Sequence, residues 1–318
     1  MDKHFKFAVP GLVGALVLVG CDVEPEPEIP EPGDLPVAVA ERIGAQAVPF
    51  APGMVPTTGD VRSAVIGPDG ERVYLAKSVG EDGAPRLWES VWGEETSSYS
   101  DPAPLHFSDV AHLDRTPALA PGGEYLAFSS FRPIAEGDRV IESFNIWVAE
   151  WIAPEGAEEG GWSDPWSVRT LASPDWDGAP SLAANGNIYF ASERDAPTAG
   201  SNLFVAEFRD GEWLAPDPLD APLSSSADDT DPWVAHDESF LLFASDRGGD
   251  GFNLYVAFRT EFGGWLDPLP LGDAVNTGAD ETAPSMTHGG EYLVFHRDGE
   301  GVMILPAEAA DITMPDGL

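Results

Sequence analysis

A short segment recurs in the chain at intervals of roughly 52 residues, and this repetition constrains the fold more than any other feature. In order, the copies read 63-SAVIGPDGERVYLAK-77, 116-TPALAPGGEYLAFSSFR-132, 179-APSLAANGNIYFASER-194, 231-DPWVAHDESFLLFASDR-247 and 283-APSMTHGGEYLVFHR-297. The aligned prolines are Pro117, Pro180, Pro232 and Pro284, and the aligned aromatic residues are Phe128, Phe190, Phe243 and Phe295. Ala64 and Leu75 occupy these columns in the weaker first copy. The period predicts repeated supersecondary units that pack against one another.

Each repeat contains enough strand-like sequence for four antiparallel strands. Two strands flank a turn such as 121-PGGE-124, a third follows in segments such as 253-NLYVAFR-259, and a fourth begins in segments such as 213-WLAP-216. Four strands in about 50 residues is the size of one propeller blade. The 34 glycines, 30 prolines and 10 tryptophans are also typical of an all-β chain with many turns.

The five copies predict an all-β protein with a single β-propeller of about five four-stranded blades; six blades is the alternative. The segment 47-AVPFAP-52 has the phase of an outer strand, and 302-VMILP-306 has the phase of a third strand. We therefore expect the N-terminal strand to complete the last blade and close the ring. Closure would cover sheet edges that an open array leaves exposed.

The last two copies carry the most specific pattern. The stretches 228-DDTDPWVAHDESFLLFASDRGGDGFNLYVA-257 and 275-VNTGADETAPSMTHGGEYLVFHRDG-299 resemble the WD40-like (PD40) repeats of the TolB type, which also occur in envelope lipoproteins. The resemblance covers residues 57–305 and departs at the turn. There the family's S-P-D-G becomes Gly67-Pro68-Asp69-Gly70 in the first copy and decays in the later ones. It implies a propeller but little about function, because one fold hosts many functions.

The N-terminus carries a targeting pattern. Lys3 and Lys6 precede a short apolar run that ends in Leu18-Val19-Gly20-Cys21, which resembles a bacterial lipobox. The resemblance implies cleavage before Cys21 and lipidation of its thiol, and Cys21 is the only cysteine of the chain. We expect a signal peptide at 1–20, a lipidated cysteine with a Pro/Glu-rich tether at 21–40, a propeller at 41–310 and a tail at 311–318. The expected location is the bacterial cell envelope, either facing the periplasm or on the outer membrane.

The charge restricts the partners. The chain has 55 acidic residues against 16 lysines and arginines, a net charge of −39. Such a surface repels nucleic acid and anionic lipid headgroups, so we expect no nucleic-acid partner and membrane contact only through the lipid anchor. The expected partner is an envelope protein or a peptide, and the expected state is a monomer.

A column of acids lies three residues before each aligned proline. Its members are Asp114, Asp177, Asp229 and Glu281; the first copy has Val61 there, with Asp60 beside it. In a propeller this position predicts a ring of carboxylates around one mouth of the central channel. An architectural role would have these acids accept backbone N–H bonds and pair with repeated arginines between blades. Those arginines are Arg132, Arg194, Arg247 and Arg297.

A functional role for the acids is the competing interpretation. In that case Asp228, Asp231 and Asp280 add to the column and form an acidic channel mouth that binds a basic partner or Ca²⁺. The calcium candidates are Asp229, Asp231 and Glu281, and no other cofactor is expected.

Two further columns follow the repeat. His236 and His288 occupy the hairpin-turn position held by Pro68 and Pro121, so we interpret them as turn residues that lie far apart in different blades. Trp162, Trp213 and Trp265 are interpreted as a column that packs the blades.

Two functions remain open on these observations. The first is a lipid-anchored envelope protein whose propeller is a non-catalytic binding or scaffold module. The second is a carbohydrate-active propeller, which predicts that carboxylates such as Asp114, Asp177 and Asp229 approach within roughly 5–10 Å around a pocket and have raised pKa values. The chain has no G-x-S-x-G motif, zinc motif or phosphate-binding glycine loop, so an enzyme is the less favoured of the two.

Overall fold

Five antiparallel sheets arranged around a central channel form a five-bladed β-propeller. The computed structural model describes residues 35–51, 53–57, 60–78, 83–109, 111–136, 139–153, 160–194, 200–219 and 221–312. The predicted signal peptide, Cys21 and most of the predicted tether lie outside the described residues. Both the all-β class and the count of five blades are confirmed.

Apart from the N-terminal strand, the strands that precede residue 170 form the first two blades. The N-terminal strand is β1 (Val48–Ala51). Blade 1 contains β2 (Asp60–Ile66), β3 (Arg72–Ser78), β4 (Pro85–Gly93), β5 (Ser98–Tyr99) and β6 (Ala103–Pro104). Blade 2 contains β7 (Asp114–Leu119), β8 (Tyr125–Ser130), an inserted hairpin of β9 (Ile134–Glu136) and β10 (Arg139–Ile141), then β11 (Asn145–Ile152), β12 (Gly161–Trp162) and β13 (Trp166–Ser167).

The last three blades follow the same order from the channel outward. Blade 3 contains β14 (Asp177–Leu182), β15 (Ile188–Ser192), β16 (Asn202–Ala206), β17 (Phe208–Arg209), β18 (Glu212–Trp213) and β19 (Asp217–Pro218). Blade 4 contains β20 (Asp229–Val234), β21 (Phe240–Ser245), β22 (Asn253–Phe258) and β23 (Leu269–Pro270). Blade 5 contains β24 (Glu281–Met286), β25 (Tyr292–Arg297) and β26 (Gly301–Pro306).

The N-terminal strand closes the ring, as predicted. Strand β1 pairs antiparallel with β26, with Val48 opposite Ile304 and Ala51 opposite Val302. Phe50 is fully buried in the seam. On the channel side, the hydroxyl of Ser285 in blade 5 donates to the carbonyl of Ala64 in blade 1 at 2.9 Å. The two ends of the blade array are thereby held together at its outer and inner edges.

The core lies between neighbouring blades. Each of the five interfaces has its own buried apolar cluster; the cluster between blades 1 and 2, for example, joins Tyr74 and Leu87 to Leu126 and Phe128. The second strand of a blade is covered on both faces, so its sequence is a continuous apolar run rather than an alternating one. The aligned phenylalanines are all fully buried in these clusters.

The innermost strands β2, β7, β14, β20 and β24 surround the channel. Each carries a bulge near the position of the aligned proline, and the bulge of β2 lies one residue earlier than the others. In four blades the bulged residue precedes the aligned proline and has a positive φ: 46° at Thr116, 50° at Ala179, 49° at Asp231 and 49° at Ala283. A residue with a Cβ pays roughly 1–3 kcal/mol for this conformation. These four residues and Ser63 of blade 1 line the channel, and we call them the throat ring.

Short helical turns flank the propeller. Helix α1 (Val37–Ala40) begins after Pro36, and Leu35 and Val39 pack into the cluster between blades 5 and 1. Leu35 and Val39, which lie inside the range predicted as tether, are thus packed against the propeller. A 3₁₀ helix (Ala307–Ala310) follows β26. Within the described ranges, no helix combines the length and apolar character needed to span a membrane.

Candidate functional site

The four acids of the repeated column start the innermost strands and are fully buried. We call Asp114, Asp177, Asp229 and Glu281 the framework acids. Each lies against one arginine at the end of the second strand of the same blade. The nitrogen–oxygen distances are 2.5 Å for Asp114–Arg132, 2.6 Å for Asp177–Arg194, 2.6 Å for Asp229–Arg247 and 3.0 Å for Glu281–Arg297. Of the two roles that the sequence left open for these acids, the buried ion pairs support the architectural one.

The arginine partners were predicted correctly, but each pair forms within one blade and not between blades. The guanidinium also donates to backbone carbonyls of the loop that enters the blade: Arg132 donates to Phe107 at 2.5 Å and Arg297 to Val275 at 2.8 Å. The second and first strands of a blade are antiparallel, so the end of one lies beside the start of the other. This pairing ties each blade to the segment that arrives from the preceding blade.

Asp228 and Asp280 brace the preceding blade. The Asp228 carboxylate accepts from the backbone N–H of Ser201 at 2.7 Å, and that of Asp280 accepts from Phe252 at 2.9 Å. Both bonds need a close approach to a glycine with positive φ, since a Cβ on Gly200 would lie 1.6 Å from the Asp228 oxygen. A Cβ on Gly251 would lie 2.4 Å from the Asp280 oxygen. One carboxylate oxygen of each acid is therefore used within the fold.

Asp231 is the one predicted site residue that lines the channel. It is half-buried, and its carboxylate accepts from the backbone N–H of Ala283 at 3.1 Å. Burial raises the pKa of Asp231, against the smaller effects of its hydrogen bonds to Ala283 and Thr230.

The calcium site predicted from Asp229, Asp231 and Glu281 is not supported. Asp229 and Glu281 are each neutralised by an arginine of their own blade. In the part of the chain that the structure describes, no group of three or more His, Cys, Asp or Glu side chains is arranged to hold a metal ion.

Charged and polar side chains cluster at the end of the channel where the innermost strands begin. We call this end the entry mouth. A pocket of about 430 Å³ opens there. We define this entry pocket by Asp60, Arg62, Arg115, Thr116, Asp231 and Thr282. Its floor is shared with the channel, because Ser63, Thr116, Asp231 and Ala283 line both spaces. The channel itself holds a cavity of only about 50 Å³, enough for a few waters.

The two arginines of the entry pocket occupy the same repeat column in blades 1 and 2. Arg62 pairs with Asp60 at 2.5 Å and with Asp298 at 3.6 Å. Arg115 stacks on the ring of Phe144 with 4.6 Å between the guanidinium carbon and the ring centroid. Desolvation and the charge of Arg62 lower the pKa of Arg115. Sequence reasoning missed both arginines, although the other three blades have Gly178, Thr230 and Thr282 in this column.

At the opposite end of the channel, the turn mouth, two histidines meet. The rings of His236 and His288 lie 4.9 Å apart, so the prediction that different blades hold them far apart is wrong. Both remain turn residues, as expected, but the turns of blades 4 and 5 converge on the axis. Burial, and then the neighbouring His288, lower the pKa of His236 to about 4. Burial also lowers the pKa of His288.

Two of the three tryptophans in the column are buried and pack the blades. Trp162 of blade 2 is buried and makes an edge-to-face contact with Tyr74 of blade 1, with 5.6 Å between centroids. Trp213 is buried and donates to the carbonyl of Gly186 at 2.9 Å. Trp265 is partly exposed under the guanidinium of Arg259.

The fold places the chain among the five-bladed β-propellers. No protein-family model matches the chain, and no curated protein matches it at a significant level. An α-L-arabinofuranosidase from Lactobacillus brevis is similar in structure, with a TM-score of 0.51, 14% identity, and coverage of 80% of this chain and 91% of that one.

Two more solved structures are similar at lower scores. An endo-arabinase from Bacteroides thetaiotaomicron VPI-5482 has a TM-score of 0.49, 14% identity, and coverage of 86% and 99%. A protein assigned as a TolB from Agrobacterium tumefaciens has a TM-score of 0.48, 13% identity, and coverage of 80% of each chain. At such identity the likeness concerns the propeller fold alone.

Proposed function

We propose that the chain is a lipid-anchored protein of the bacterial envelope, and that its propeller is a non-catalytic module that binds a protein or peptide at the entry mouth. The anchor is supported by the lipobox-like Leu18-Val19-Gly20-Cys21 and by the absence of any second cysteine from the sequence. The module faces the periplasm or sits on the outer membrane.

The burial of the framework acids is the observation that carries the binding function. General acid–base work on a glycoside needs two carboxylates that face the substrate. Here the repeated carboxylates are fully buried, and each is held by an arginine of its own blade. Their abundance in the sequence therefore supports architecture and gives no argument for hydrolysis.

The entry pocket supplies the complementary argument for binding. A volume of about 430 Å³ falls within the range of ligand sites, and charged groups of both signs converge on it. Asp60 and Arg62 remain about half exposed although they pair with each other. An exposed pair of this kind exchanges partners at little cost, so its charges are available to a ligand.

Cross-linking in the native envelope tests the proposal. Tagged full-length protein is cross-linked and purified, and its partners are identified by mass spectrometry. We expect a defined partner that is lost from Arg62→Gln/Arg115→Gln and retained by Arg209→Gln, which removes an exposed arginine in the outer part of blade 3. Loss from both variants, or from neither, would contradict a site at the entry mouth. Fractionation of Cys21→Ser tests the anchor, since the variant should leave the membrane fraction.

A carbohydrate-active propeller is the second candidate, favoured by one observation. Asp231 has a raised pKa and shares the entry pocket with Asp60, so two carboxylates face one space. This candidate predicts hydrolysis of a glycan by the purified protein, with the activity abolished in Asp231→Asn. A broad glycan panel with no turnover would count against it.

A further inference from the structure

Arg115 lacks the acidic partner that an arginine of this protein is expected to have. The chain has 55 acidic residues and 16 lysines and arginines. Even so, no described carboxylate lies within ion-pair distance of Arg115, while Arg62 beside it has two. Arg115 is exposed as a residue, and its partly desolvated guanidinium is held against the face of Phe144. A fixed guanidinium without a counter-charge provides a forked set of donors for a planar anion.

Ser63 adds an independent signal in the same place. Its side chain is 6% exposed, and its hydroxyl has no hydrogen-bond partner in the described structure. The hydroxyl of Thr116, the throat-ring neighbour in blade 2, pairs with Ser129 at 2.6 Å. A buried polar group without a partner costs roughly 1–3 kcal/mol, and one that lines a pocket points to a ligand or water that satisfies it.

The shape of the entry pocket favours a ligand that inserts the end of its chain over a polymer that passes through. The entry pocket of about 430 Å³ narrows to a channel cavity of about 50 Å³. The far end is occupied by the contact between His236 and His288. A terminal group can reach Ser63 and Asp231 at the floor of the pocket, whereas a continuous polymer has no exit through the channel.

The overall charge selects the kind of chain. A net charge of −39 repels a polyanion such as an acidic polysaccharide along its whole length. A peptide without Asp or Glu carries its carboxylate only at the C-terminus, and its preceding residues can be basic. The exposed acids at the rim, Asp60 and Asp298, favour such basic residues.

We propose that the entry pocket binds the C-terminal carboxylate of a peptide, with Arg115 as the partner of the carboxylate and Ser63 as an additional donor. Asp231 accepts from the N–H of the terminal residue or from a basic side chain. This inference rests on the proposed function, because it names the ligand of the same module. Recognition of a chain end by a fixed donor set is an established mode of peptide binding.

Two matched peptide pools test the carboxylate. Both contain mixed-sequence hexapeptides with lysine at the second and fourth positions; one pool ends in a free carboxylate and the other in a carboxamide. Full-length protein is immobilised, and captured peptides are quantified by mass spectrometry. We expect the free-acid pool to be retained roughly tenfold or more over the amide pool, because a charge-assisted bond to the anion is lost in the amide.

Four variants locate the effect. Arg115→Gln should remove the preference for the free acid, Ser63→Ala should reduce it, and Arg209→Gln should leave it unchanged. Arg115→Lys keeps the positive charge but not the forked N–H donors of the guanidinium, so it should retain only part of the preference. Thermal unfolding of each variant shows whether the fold is retained.

The other outcomes separate the two proposals. Equal capture of acid and amide pools, with a cross-linked partner that still depends on Arg62 and Arg115, would overturn the carboxylate inference and leave the binding module standing. Capture of neither pool, together with no cross-linked partner, would overturn both. Tighter binding of oligogalacturonate than of the free-acid pool would replace the peptide with an acidic sugar.

Discussion

Asp229 and Asp231 lie two residues apart on the same innermost strand, yet one belongs to the framework and the other to the channel. Asp229 is fully buried and accepts from Arg247, Ser225 and Ser245. Asp231 is half-buried and accepts from the backbone of Ala283. In a regular strand both side chains would face the same side, but the bulge between Thr230 and Trp233 and the positive φ of Asp231 turn the second away.

The two aspartates differ in whether their position recurs in the other blades. Asp229 has counterparts in three other blades, each with an arginine, and all four are structural. Asp231 has Ser63, Thr116, Ala179 and Ala283 in its column, so it is a departure from the repeat. In this molecule, the acids that recur in four of the five blades tie each blade to the segment that enters it. Arg62, Arg115 and Asp231 depart from the repeat and lie at the entry mouth.

Removal of a framework acid is expected to have the largest effect. Asp229→Ala leaves the mostly buried guanidinium of Arg247 without its counter-charge, which should lower the free energy of unfolding by about 3–5 kcal/mol in urea denaturation. The double variant Asp229→Ala/Arg247→Met removes both charges and should recover part of the loss. A loss below about 1 kcal/mol for the single variant would mean that Asp229 behaves like an exposed acid, and it would contradict the structural role given to Asp229.

Acidification should act next, through the turn mouth. The pKa of His236 is lowered to about 4 in the folded protein against about 6.5 when unfolded, so the unfolded state binds more protons in this window. Stability is therefore lost as the pH falls from 6.5 to 4, by on the order of 3 kcal/mol from this group. Asp237 opposes the lowering of the pKa of His236, and Glu291 opposes that of His288, because each carboxylate favours the protonated ring beside it.

The matched variants for this pH effect are His236→Gln and His106→Gln. The first should lose the His236 contribution between pH 6.5 and 4, measured as the difference in urea-unfolding free energy at the two pH values. His106 is more than half exposed beside Asp164, so His106→Gln should keep the wild-type profile. Parallel profiles for wild type and His236→Gln would show that the histidine contact does not control acid stability.

The fold could be predicted from the sequence because the repeat carries it. The aligned prolines and phenylalanines set the blade count, and the phase of 47-AVPFAP-52 indicated the closing strand. The framework arginines were also predictable as partners, since they recur with the acids. That the pairs form within a blade follows from strand register, which the spacing of columns alone does not specify.

The candidate site was not predictable from the repeat, because its residues are exceptions to it. Arg115 and Ser63 lie between the column of acids and the column of prolines, at positions where the copies differ in sequence. Only their placement around one pocket relates them. The contact between His236 and His288 was missed for a related reason. Residues at equal positions in adjacent blades converge near the axis, although they are 52 residues apart in sequence.

The glycines that approach Asp228 and Asp280 give a smaller, controlled test of the repeated contacts. Gly200→Ala places an alanine at a positive φ of 59° and also drives its Cβ into the Asp228 carboxylate. Gly249→Ala introduces only the backbone strain of a φ of 84°, because no atom lies within 4 Å of its Cβ position. We expect about 1–2 kcal/mol of destabilisation for Gly249→Ala and measurably more for Gly200→Ala in thermal or urea unfolding. Equal losses of stability in the two variants would show that the contact of Asp228 with residues 200 and 201 adjusts to the added Cβ without destabilising the fold.

Asp231→Asn should have the smallest effect on stability, and its sign should oppose that of Asp229→Ala. Burial raises the pKa of Asp231, so the folded state binds this proton more tightly than the unfolded state and loses stability as the pH rises past the unfolded pKa. Removing the charge should therefore stabilise the protein at pH 7, by no more than about 1 kcal/mol, and the gain should fade toward pH 3. Urea unfolding of both proteins at the two pH values measures it. A clear loss of stability at pH 7 would mean that the Asp231 charge is satisfied within the framework, and the distinction between the repeated acids and the throat ring would fail.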